Sequence, residues 1–66
     1  MTGTIKKLLT DKNFGFITQD EGGDDLFFHA NNLVDIDFNT LREGDKVSFE
    51  VIDTDKGKAA DKVTKI

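Results

Sequence analysis

The sequence predicts an all-β fold, a small five-stranded antiparallel barrel, and three observations predict it. Turn-forming clusters recur at short intervals, at Asp11–Asn13, Asp20–Asp25, Asn31–Asn32, Asp35–Asp37, Glu43–Asp45 and Asp53–Gly57. The runs between them are short and of strand character. In "KVSFEVI" the alternation is strict, with Val47, Phe49 and Val51 on one face and Lys46, Ser48 and Glu50 on the other.

In chain order, the predicted strands lie near Thr2–Leu9, Phe14–Asp20, Asp25–His29, Lys46–Asp53 and Ala59–Lys65. "EGGDD" joins the second and third as an acidic hairpin turn, because paired glycines supply the φ values a tight turn needs. Leu33 to Leu41 is too short and too interrupted for a helix and is predicted as a long connection, with one helical turn near Asn31–Val34. "LREGD" is a tight turn entering the fourth strand. Five strands with one long connection fit a partly open Greek-key β-barrel of the OB-fold type. A chain of 66 residues is predicted to form one domain, spanning residues 1–66.

Composition excludes several function classes. With no Cys there is no disulfide and no thiolate zinc site, and one His cannot build a transition-metal centre. No cofactor is expected. Catalysis is not expected either, since thirteen carboxylates spread through turns signal solubility rather than a paired acid and base. No apolar run reaches the length of a signal peptide or a membrane span, so no membrane partner and a cytoplasmic location are expected. The net charge of −4 argues against a tight electrostatic grip on a polyanion.

The stretch "KNFGFITQDEGGDDLFFHA" holds the candidate site. If Ile17 faces inward, Gly15 does too, and Phe14 and Phe16 face outward. In the third strand, inward Leu26 and Phe28 leave Phe27 and His29 outward. The short turn makes these strands neighbours, so Phe14, Phe16, Phe27 and His29 share one face. The competing phase turns Phe14 and Phe16 into the core, with Gly15 at a bulge. An exposed patch of rings marks a binding site, and unpaired bases stack on rings at about 1–3 kcal/mol each. Such a site needs little positive charge, which reconciles an acidic chain with a nucleic-acid ligand. It favours single strands, because duplex bases are already stacked on one another.

"KNFGFI" (Lys12–Ile17) and "LFFHA" (Leu26–Ala30) resemble the two ribonucleoprotein-type motifs of bacterial cold-shock proteins, in their order and spacing. The likeness continues through "FNTLREGDKVSFEV" and "DKGKAADKVTKI" and so covers essentially the whole chain. The resemblance implies a five-stranded barrel that binds single-stranded RNA and DNA with some preference for pyrimidine-rich stretches, and acts as a passive RNA chaperone. It implies stacking roles for Phe14, Phe16, Phe27, His29 and the loop residue Phe38. It further implies basic contacts from Lys6, Lys12, Lys56 and Lys58. A monomer is expected, with a weak or domain-swapped dimer as the alternative.

The chain also departs from that family. Where the family's first strand usually reads K-W-F-N, this one has "KKLL" (Lys6–Leu9), so Lys7 replaces a tryptophan and is expected to contact phosphate instead. Leu8 replaces a phenylalanine, Leu9 an asparagine, and Ala30 a position that is often aromatic. Asn13 replaces a glycine, which Asn tolerates if that residue is left-handed. These changes predict weaker binding than in a typical member, or a shifted base register. They also support an alternative in which the barrel is a protein-interaction module that uses the Phe patch for a partner or dimer.

Overall fold

The computed structural model describes residues 1–55 and 57–66. Strands β1 (Thr2–Leu9), β2 (Phe14–Gln19), β3 (Leu26–His29), β4 (Lys46–Thr54) and β5 (Gly57–Lys65) form a closed barrel in the order β1-β2-β3-β5-β4. All five predicted strands are present, with ends within two residues of expectation. The barrel is closed rather than partly open: β3 meets β5 in a parallel contact that pairs Phe27 with Ala59, and Leu33 bridges Val63 beside it. The long connection holds two short 3-10 turns, Ala30–Asn32 and Phe38–Thr40. The expected turn therefore begins one residue early, and a second follows.

Alternation sets the core. Ile17, Leu26, Phe28, Val47 and Phe49 point inward and pack with Ile5, Leu41, Ala60 and Val63. Two irregularities keep the strands in phase with it. In β1, Ile5 pairs with Ile17 but Lys7 pairs with Phe16, so Lys6 is an extra residue, a bulge. The bulge leaves both Lys6 and Lys7 exposed and returns Leu8 to the inside, where it packs against the core. In β5, Lys62 and Val63 together oppose Phe49, and Lys62 takes φ 50. That extra residue lets Ala60 and Val63 both reach the core, although an uninterrupted strand would place them on opposite faces.

Gly15 is inward for a steric reason. A Cβ there would stand 2.6 Å from the Lys7 carbonyl oxygen and 3.0 Å from the Phe28 ring. The glycine between two phenylalanines is thus the space that the Phe28 ring occupies. Asn13, at φ 59, adopts the left-handed conformation expected of it, and its carbonyl accepts the Ala30 N–H at 2.8 Å.

Candidate nucleic-acid interface

The register of three strands assembles one outer face. Phe16 lies between Lys7 and Phe27, and Phe14 lies between Leu9 and His29. Alternation places all of these on the side opposite Gly15, Ile17, Leu26 and Phe28. The competing phase, with Phe14 and Phe16 in the core, does not occur. Phe27 is 38% exposed, while Phe14, Phe16 and His29 are half-buried.

The rings pin one another. Phe14 and Phe27 lie 5.2 Å apart at 47°, Phe14 and Phe16 5.9 Å apart at 90°, and Phe16 and Phe27 6.1 Å apart at 67°. Tilted and edge-to-face contacts of this kind are favourable in themselves. Rings already fixed by their neighbours lose little further freedom when a flat ligand settles on them.

His29 is fixed from both ends. Its Nδ1 accepts the Asn31 N–H at 3.1 Å, which places the proton of the neutral ring on Nε2. Its own backbone N–H donates to Asn32 Oδ1 at 2.8 Å, completing a capping box on the Ala30–Asn32 turn. Asn32 Nδ2 in turn donates to Asp61 Oδ1 on β5 at 3.0 Å.

Phe38 does not join this face. Its ring is 8% exposed and packs 6.2 Å from Phe28, inside the core cluster with Leu41. The resemblance implies a stacking role for Phe38, and the structure holds its ring apart from the Phe14, Phe16 and Phe27 cluster. A small barrel needs every large apolar side chain it can enclose, and the Phe38–Thr40 turn folds this one beneath the connection. At the positions of the departures, Lys7 is exposed beside Phe16, Leu9 is half-buried beside Phe14, and Ala30 packs against the core. Leu9 thus adds apolar area to the face. Only the doubled lysine in "IKKLL" hints at this, since two adjacent polar residues between apolar ones mark a bulge.

Charge is partitioned around the barrel. Away from the face, Lys46 pairs with Asp20 at 2.7 Å, Lys62 with Glu50 at 3.4 Å and Lys65 with Asp45 at 3.5 Å. At the face, Lys6 pairs with Asp25 at 2.7 Å, and Thr18 Oγ1 also donates to Asp25. Lys7, Lys12 and Lys58 have no ion-pair partner among the described residues. The hydrogen bond from Lys6 holds the Asp25 carboxyl below the usual aspartate range, against a smaller opposing effect of desolvation. Lys56 lies outside the described residues. Among the described residues, no three His, Cys, Asp or Glu side chains gather closely enough to hold a metal ion.

Beyond Phe27 the face continues into a cleft of about 520 Å³, lined by Phe27, Asn32, Ile52, Thr54, Asp55, Lys58 and Ala59. Its residues come from three separate strands and turns, so no single motif announces it.

Known proteins resemble this chain in sequence and in fold. A family model described as "'Cold-shock' DNA-binding domain" matches residues 1–66. The chain is 52% identical to "Cold shock-like protein CspG" of Shewanella violacea, over 89% of its own length and 84% of that protein's. It is 48% identical to "Cold shock-like protein CspA" of Vibrio cholerae, over 97% and 91% of the two lengths. Among solved structures, "drosophila Unr CSD456" superposes with a TM-score of 0.76 at 31% identity, covering 98% of this chain and 26% of that one. Barrel, motifs and relatives agree: the chain belongs to the cold-shock domain family of nucleic-acid-binding proteins.

Proposed function

We propose that the protein binds single-stranded RNA and DNA by stacking unpaired bases on Phe14, Phe16, Phe27 and His29, with Lys7, Lys12 and Lys58 contacting phosphate. The observation that carries this reading is the outward cluster of three mutually packed phenylalanine rings, rimmed by lysines without ion-pair partners among the described residues. Each stacked base contributes about 1–3 kcal/mol regardless of its identity, so the face tolerates many sequences. Pyrimidine-rich strands stack weakly on themselves and give up least on binding, which favours them.

The protein acts as a passive trap in the cytoplasm. It captures transiently opened RNA and draws the equilibrium away from hairpins by mass action, as a chaperone without a nucleotide-driven step. A monomer suffices, since one barrel carries the whole face. Lys7 supplies a point charge where the family has a ring, so affinity is lower than in a relative that keeps the tryptophan.

Fluorescence anisotropy of an end-labelled dT7 oligonucleotide tests this reading. The expected result is saturable binding that weakens with salt. No binding at low salt overturns it, and the Phe face is then a docking surface for protein.

A further inference from the structure

The cleft beside Phe27 is built differently from the ring face it adjoins. Phe27, Ile52 and Ala59 give it apolar surface, and Asn32, Asp55 and Lys58 add an amide, a carboxylate and an ammonium. Its volume of about 520 Å³ falls within the range typical of small-molecule sites, about 300–1,000 Å³. Asn32 is a fixed wall, held through Oδ1 by the His29 N–H and through Nδ2 by Asp61. We propose that this cleft seats one base of the bound strand and selects guanine there. The proposal rests on the single-strand reading above and adds a sequence preference at one position of an otherwise tolerant face.

Three observations lead to it. The cleft shares Phe27 with the ring cluster, so a strand laid across Phe16 and Phe27 runs directly into it. Next, Asp20, Asp25, Asp45 and Glu50 are each tied to a lysine, whereas Asp55, like the other carboxylates, has no ion-pair partner among the described residues, and it is the carboxylate that lines the cleft. A free carboxylate beside a phosphate path opposes binding unless it accepts hydrogen bonds from a base edge. Finally, the donor pattern fits one base best. Guanine presents N1–H and the N2 amine side by side, a match for the two oxygens of a carboxylate, with O6 next to them as acceptor for one of the three ammonium donors of Lys58, the others remaining for phosphate. Adenine and cytosine each set one amine against a ring-nitrogen acceptor, and thymine and uracil offer one N–H between two carbonyls. In a single strand this edge is open to be read.

The test walks one guanine through each position of labelled dT7 and measures affinity by anisotropy for the wild type, Asp55→Asn and Asp53→Asn. In the wild type, guanine at one position binds about 5–10-fold more tightly than thymine there, the lower part of the range for a bidentate contact. Asp55→Asn, which replaces one acceptor oxygen by a donor, abolishes that preference. Asp53→Asn removes the same charge outside the cleft and retains it. The inference is overturned if no position favours guanine, if another base is favoured in the cleft, or if Asp53→Asn abolishes the preference as Asp55→Asn does. If dT7 binds and guanine brings no gain, this inference alone fails; if no oligonucleotide binds, the single-strand reading fails with it.

Discussion

Asn32 Nδ2 donates to Asp61 Oδ1 at 3.0 Å, and this bond ties the turn that follows His29 to β5. Because Asn32 Oδ1 simultaneously accepts the His29 N–H, the carboxylate on β5 positions a ring on β3 that it does not itself touch. Asp61→Ala is expected to weaken dT7 binding about 3–5-fold, in line with about 1 kcal/mol for one such hydrogen bond. Asp61→Asn, which keeps an acceptor oxygen, restores most of it. Anisotropy titrations of both variants, with circular dichroism to confirm the barrel, check this; equal losses in the two variants would count against positioning.

The two neighbouring phenylalanines of β3 are expected to respond oppositely. Phe27→Ala costs about 1–3 kcal/mol of oligonucleotide affinity with a small change in melting temperature. Phe28, at 0% exposure, fills the barrel, and Phe28→Ala costs about 3–5 kcal/mol of stability. Phe38→Leu behaves as a core substitution: stability falls, by under about 1.5 kcal/mol if the core repacks, and affinity holds. Thermal melts paired with titrations separate the three.

The lysines without ion-pair partners among the described residues predict a salt effect. Removing one phosphate contact from a single-strand complex reduces the slope of log affinity against log salt by about 0.7. Lys7→Gln is expected to lower the slope by that amount and to weaken all sequences alike. Lys62→Gln, which removes a charge already paired with Glu50, leaves the slope unchanged. Titrations at several salt concentrations decide it.

Acid is expected to destabilise the barrel through Asp20 and Asp25. Lys46 and then Thr2 donate to Asp20, and Lys6 and then Thr18 donate to Asp25, so both carboxyls lie below the usual aspartate range. Groups depressed in the folded state contribute stability above their unfolded value, about 3.9 for Asp, and lose it as pH falls through the folded value. These two groups therefore keep melting temperature level from pH 7 to about 5 and lower it below about pH 4. Melts of the wild type and of Lys46→Met measure this, the variant showing the smaller acid-induced drop.

Gly15→Ala is expected to unfold the chain or shift β2 against β1. The added methyl meets the Lys7 carbonyl and the Phe28 ring, and neither can move without breaking the sheet or the core. Far-UV circular dichroism of the purified variant reads the outcome directly.

Much of this face was legible in the pattern itself. A glycine between two phenylalanines, followed by Ile17, fixed the phase of β2, and "LFFH" fixed that of β3, because a period of two leaves few alternatives once one residue is inside. What was not legible came from contacts between distant residues. The stacking role expected of Phe38 rests on the resemblance alone, and only its approach to Phe28 places the ring in the core. Closure of the barrel depends on a parallel contact between residues 27 and 59, which alternation within either strand cannot reveal. Which lysines are neutralised is equally non-local, since Lys46 finds Asp20 across 26 positions of chain while Lys58 finds no such partner among the described residues.

The pairing of Phe27 with Ala59 gives one residue two duties, since its backbone closes the barrel while its ring is the most exposed of the face. A short seam of this kind is where a small barrel is expected to open first, its amides exchanging with solvent before those of β1 and β2. On the single-strand reading, a strand seated on Phe27 and reaching the β4–β5 hairpin would lie across the seam and latch it. The free protein is then the looser one, and the ligand's own grip completes the wall on which it rests.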